Sequence, residues 1–124
     1  MIPPKRTGLA RLVASFGYAL RGLWTLLATQ ANARVHVGAS VLVIVAGFWF
    51  GLTRLEWCAI VAAIGLVCTA EGLNTAFEFL TDLVSPEHHP LAEKAKDVAA
   101  GAVLVASIAA AVIGAIIFGP KLLG

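Results

Sequence analysis

Apolar residues recur at three- and four-residue intervals through Leu9, Leu12, Val13, Phe16, Leu20, Leu23, Trp24 and Leu27. That period is helical, and Arg11, Ser15 and Arg21 keep one side of it polar. The pattern predicts an amphipathic helix over residues 7–31, suited to lying in a membrane interface with its arginines toward headgroups. A helix packed on its own protein is the alternative, and the two are compatible. Three longer apolar runs follow, at 35–52, 57–80 and 98–118, each of a length that spans a bilayer. In the first, His36 stands near the start, and Phe48, Trp49 and Phe50 near the end suit an interfacial aromatic belt. Gly47 and Gly51 have the spacing that permits close helix contact. Thr53, Arg54 and Glu56 make a short turn before the second run. Ser85-Pro86-Glu87-His88-His89-Pro90 breaks the helix, since proline lacks a donor and disfavours helix at the residue before it. A short polar helix with Glu93, Lys94, Lys96 and Asp97 resumes near Leu91 and leads into the third run. There Ala102, Ala106, Ala110 and Gly114 form a small-residue stripe at four-residue spacing. The whole predicts an all-α membrane protein of one domain: an N-terminal amphipathic surface helix plus three transmembrane helices.

Composition agrees with the pattern. Of 124 residues, 60% are hydrophobic and 13% charged, and the apolar excess is concentrated in the runs. A net charge of +2 with no dense basic run argues against a nucleic-acid partner. Cys58 and Cys68 fall on one helix roughly 15 Å apart in rise, too far to pair with each other. The basic start is not followed directly by an apolar run, because Arg11 and Arg21 interrupt, so no cleavable targeting segment is expected. Lys5, Arg6, Arg11, Arg21 and Arg34 precede the first span, Arg54 alone marks the first loop, and Lys94 and Lys96 mark the second. The positive-inside bias puts the amino terminus and second loop in the cytoplasm, where ATP is.

The second span carries the informative chemistry. Glu71, Asn74, Glu78 and Asp82 share one helical stripe. A charged group at mid-membrane costs about 2.5–3.5 kcal/mol on insertion scales, so such residues usually face protein or water and serve a function. An interhelical structural network, a proton or ion path and phosphoryl transfer can all use this stripe. Glu71 and Glu78 are about 10 Å apart along the axis, too far to bind one ion unaided. For phosphoryl transfer, Glu71, the deepest carboxylate, suits the base that takes a lipid hydroxyl proton. Glu78 suits a divalent cation on the ATP phosphates. Lys96 and Arg11 suit the stabilising positive charge. Neither a Gly-xxxx-Gly-Lys-Ser/Thr loop nor a kinase glycine-rich loop occurs. His88 and His89 are adjacent, without further Cys or His at ligand spacing, which is poor zinc geometry.

Two runs are similar to the signature of the prokaryotic diacylglycerol kinase and undecaprenol kinase family. They are Glu71-Gly72-Leu73-Asn74-Thr75-Ala76-Phe77-Glu78 with Asp82, and Pro86-Glu87-His88-His89-Pro90-Leu91 with Ala95-Lys96-Asp97-Val98-Ala99-Ala100-Gly101-Ala102-Val103. The resemblance implies a homotrimer in the bacterial inner (cytoplasmic) membrane, with active sites formed between subunits at the cytoplasmic surface and Mg-ATP as donor. It implies Glu71 as general base and Glu78 as metal ligand. Arg11, Tyr18, Asn74, Glu87, His88, His89, Lys96 and Asp97 would surround the nucleotide, and Ala100 would lie near the lipid. The second metal ligand falls on Gln30, where the family often has Glu; an amide oxygen can still ligate Mg²⁺ but brings no charge. Asn32, Arg34 and His36, with His89-Pro90-Leu91, look more like the undecaprenol branch, with diacylglycerol the alternative acceptor.

Two other classes compete. A proton-coupled carrier is expected to show inverted or duplicated spans, whereas these three are dissimilar and their acidic residues gather at one end. An assembly subunit without chemistry leaves the acidic stripe and the Lys96-Asp97 pair without a purpose.

Overall fold

The computed structural model describes residues 7–124 as four helices: α1 (Gly8–Thr29), α2 (Ala31–Phe50), α3 (Arg54–Val84) and α4 (Pro90–Leu123). Lys5 and Arg6, which entered the orientation reading, lie outside the described residues. All four helices are long and apolar enough to cross a membrane, and α1 is the least apolar. The 20 residues of α2 span about 30 Å, close to the hydrocarbon thickness. The 31 residues of α3 and 34 of α4 reach roughly 46 and 51 Å, so part of each must stand clear of the hydrocarbon.

Local chemistry fixes the breaks. Gln30 is the single non-helical residue between α1 and α2. The Arg34 guanidinium reaches back to the Leu27 and Ala28 carbonyls at 2.7 and 3.3 Å, covering acceptors that the end of α1 leaves open. Gly51 ends α2 in the left-handed region, at φ 68°, which glycine adopts without steric penalty. Gly51 is thus a helix stop rather than part of a helix-packing motif. Gly47 is the close-approach residue, because a Cβ there would sit 2.6 Å from the Trp57 ring. Thr53 and Glu56 form a reciprocal capping box at the start of α3. At the start of α4, Pro90 occupies the first turn and His89 Nδ1 accepts from the Leu91 amide at 3.1 Å. The polar turn around Glu93–Asp97 and the apolar run beyond it form one uninterrupted helix.

The antiparallel α3–α4 hairpin is the most extensive pairing in the chain. Ile60, Ala63, Val67, Glu71 and Thr75 make up the buried stripe of α3. Ala106 of the small-residue stripe is buried. Leu52, Ile60 and Ile117 form an apolar core with Trp57 and Phe118 packed against it. Ion pairs close the hairpin at both ends, Glu56–Lys121 at 3.0 Å and Asp82–Lys96 at 2.5 Å. Cys58 and Cys68 are free thiols.

Candidate active site

The site grows out of the core stripe of α3. Residues 60, 63 and 67 are aliphatic; continuing at the same helical spacing, the stripe turns polar at Glu71, Asn74 and Thr75, then Glu78 and Asp82. Glu71 is 3% exposed. Its Oε2 is sealed from solvent without a hydrogen-bond partner among the described residues, as are Asn74 Oδ1 and Thr75 Oγ1. Orphaned buried oxygens are rare and costly, and three within five residues of one stripe mark a place built for something other than stability. The nearest basic group to Glu71 is His36 of α2, with Nε2 3.7 Å from Oε2.

One turn above Glu71, Asn74 Nδ2 donates to Glu78 Oε1 at 3.4 Å. This leaves the amide oxygen of Asn74 and the carboxylate of Glu78 as adjacent hard donors. Beyond them Asp82 meets Lys96. Hydrogen bonding to Asp82, then the charges of Asp82 and Glu78, hold the Lys96 ammonium above its ordinary 10.5.

Asp82 and Lys96 lie in the wall of a polar pocket of about 300 Å³ that also includes Ser85, Glu87, His88, His89, Glu93 and Asp97. Five of the residues expected around a nucleotide therefore share one pocket: Glu87, His88, His89, Lys96 and Asp97. His89 is engaged as the α4 cap, and His88 Nε2 lies 3.5 Å from Glu93 Oε2. Arg11 and Tyr18 sit on α1 and do not line this pocket. The Arg21 guanidinium lies 5.9 Å from the centre of the Tyr18 ring. Gln30 bonds Thr29 at 3.3 Å, and no hydrogen bond links it to Glu78 among the described residues. Ala100 is exposed on α4.

Among the described residues no three His, Cys, Asp or Glu side chains converge as a metal cage. Mg²⁺ keeps much of its water and is commonly held by one or two carboxylates plus substrate phosphates. The Glu78 carboxylate, held beside Asn74, fits such an ion. The His36 approach to Glu71 had one signal in the sequence, a histidine placed just inside an apolar run. Its partner on another helix could not be read from spacing.

A profile of the prokaryotic diacylglycerol kinase family matches residues 17–118. The chain is 44% identical over 117 residues to an undecaprenol kinase of Bacillus subtilis, covering 94% of this chain and 95% of that one. It is 42% identical over 113 residues to a diacylglycerol kinase of Synechocystis, covering 90% of this chain and 65% of that one. With a diacylglycerol kinase of Escherichia coli it shares 31% over 106 residues, covering 86% and 87%. An all-helical chain with membrane-spanning character and a buried carboxylate leading to a polar pocket is thus a member of the prokaryotic diacylglycerol kinase family. It is a membrane lipid kinase, and kinase chemistry implies ATP as the donor.

Proposed function

We propose that the protein transfers the γ-phosphoryl group of Mg-ATP to the hydroxyl of undecaprenol at the cytoplasmic face of a bacterial inner membrane. Diacylglycerol is the alternative acceptor. The observation that carries the reading is Glu71, a carboxylate 3% exposed with an oxygen unpartnered among the described residues, on the stripe that climbs to the polar pocket. The acceptor hydroxyl gives its proton to Glu71 as its oxygen bonds to the γ-phosphorus, and the bond from that phosphorus to the bridging oxygen of ADP breaks. Glu78 would hold Mg²⁺, with Gln30 as an uncharged auxiliary ligand and Asn74 beside it at the nucleotide. The ion, when bound, neutralises charge on the phosphates. Lys96 and Arg11 stabilise charge on the transferring group. Tyr18, Glu87, His88, His89 and Asp97 surround the nucleotide, and Ala100 lies beside the lipid.

A homotrimer with sites shared between subunits belongs to the same reading. It is supported by Arg11, Tyr18 and Gln30 standing away from the polar pocket of their own chain. The α1 helix is assigned to the cytoplasmic membrane interface. Leu9, Leu12, Phe16, Leu20 and Trp24 are exposed, while Ser15, Thr25 and Thr29 donate to carbonyls one turn back and so sheathe their hydroxyls.

The test is transfer of labelled phosphate from ATP to undecaprenol by purified protein in detergent. Glu71→Gln is expected to abolish it while leaving the oligomer intact, and a Glu71→Gln protein of undiminished rate contradicts the assignment. Mixing Glu71→Gln with Arg11→Met subunits is expected to restore transfer, because a site that draws α1 from one chain and α3–α4 from another can then be assembled from intact parts. Mixtures no more active than their parents contradict shared sites.

A further inference from the structure

His36 stands on α2 with Nε2 3.7 Å from Oε2 of Glu71, about 0.5 Å beyond ordinary hydrogen-bond length. That carboxylate oxygen has no hydrogen-bond partner among the described residues. The Glu71 side chain is 4% exposed and that of His36 25%, so water competes poorly for either group. His36 also borders a cavity of about 290 Å³ between α2, α3 and α4, whose lining is apolar apart from His36, Ser40 and Ser107. The backbone that carries it is fixed: Ser40 Oγ donates to the His36 carbonyl at 2.7 Å, and Arg34 ties the start of α2 to the end of α1. Among the described residues no hydrogen bond or other ion pair engages this imidazole.

We propose that His36 is a positioning residue: its Nε2–H donates to Oε2 of Glu71 and aims the carboxylate at the acceptor hydroxyl. The inference rests on Glu71 being the proton acceptor. Catalytic hydrogen bonds are often long in the free enzyme and tighten in the reacting complex. A small rotation of either side chain closes the gap. With one oxygen held, the carboxylate loses freedom to turn away from the acceptor, and misplacement of a reacting group by an ångström is expensive. The neutral Nε2–H tautomer suffices, so the role requires a donor at that point and not a charge.

The test compares full-length His36→Leu and His36→Gln with wild type and Glu71→Gln in the undecaprenol assay, with elution volume and thermal melting as fold controls. His36→Leu is expected to lower kcat by about 10²-fold and to leave the KM for ATP unchanged. The double variant with Glu71→Gln should be no slower than Glu71→Gln alone. His36→Gln keeps an N–H donor at similar reach and is expected to recover most of the loss, which a merely space-filling role does not predict. If His36→Leu fails to fold, His36→Met, with its adaptable side chain, carries the same comparison. Wild-type kcat in the apolar variant, or a Gln variant as slow as the apolar one, overturns the inference. A wild-type protein that transfers no phosphate, or a Glu71→Gln protein as fast as wild type, overturns the proposed function beneath it.

Discussion

Asp82 near the end of α3 and Lys96 in the second turn of α4 meet at 2.5 Å, fourteen residues apart across the loop that carries the two histidines. The pair closes the α3–α4 hairpin and ties down the one lysine that lines the polar pocket among the described residues. The hydrogen bond to Asp82 holds the Lys96 pKa above 10.5. For a raised lysine pKa, the associated stability is complete below the unfolded value and is lost only as pH rises through the folded one. Lys96 is therefore cationic throughout the range in which a kinase works. Lys96→Met is expected to lower phosphoryl transfer by roughly 10²–10³-fold, as for loss of one charge-stabilising donor. Asp82→Asn keeps the cation and loosens its aim, so steady-state kinetics should show a smaller effect, mainly on the KM for ATP. An Asp82→Asn variant as inactive as Lys96→Met contradicts this division.

Glu71 presents the reverse relationship between function and stability. A buried carboxylate with an open oxygen costs folding free energy, so a site of this kind is kept for chemistry and not for strength. Glu71→Gln should lose transfer by about 10²–10⁴-fold, the usual worth of a general base, while melting at or above the wild-type temperature. Calorimetry or thermal circular dichroism in detergent measures the second half. A marked fall in melting temperature would recast Glu71 as a member of a structural network.

At the opposite end, the Thr53 backbone amide and then Lys121 hold the Glu56 carboxyl below its ordinary 4.5. A depressed carboxyl pKa contributes stability that is present above the unfolded value and lost as pH falls through the folded one. The melting difference between wild type and Glu56→Gln is expected to be constant from neutral pH to about pH 5 and to shrink below 4.5. A difference that stays the same into strong acid shows that the ion pair and cap are not its source.

The helices were legible because apolar spacing and chain breakers are local signals. The run from Ile60 to Asp82 announces a stripe at helical period, and Ser85-Pro86 with Pro90 announces its end. Local signals misled where one residue type serves two ends. Gly47 and Gly51 read as a contact motif, yet Gly51 is the left-handed stop of α2 and Gly47 makes room for Trp57. The acidic stripe could be placed on one face from sequence, because its members share a helix. Pairings between helices could not: His36 with Glu71, and Glu56 with Lys121 at a separation of 65 residues, depend on how α2, α3 and α4 pack. The residues of the polar pocket stand close in sequence, on one loop and its flanking turns, and that proximity made them readable together. Arg11, Tyr18 and Gln30 stand elsewhere in the same chain, so spacing along the sequence could not group them with the pocket.

The most direct measurement is Mg-dependent transfer of labelled phosphate from ATP to undecaprenol and to diacylglycerol, run side by side on one preparation of purified protein. Transfer to both or either lipid that vanishes in Glu71→Gln, with undecaprenol the preferred acceptor, is the expected result. Preference for diacylglycerol contradicts the acceptor and leaves the mechanism standing. Folded protein that phosphorylates neither lipid contradicts the mechanism itself.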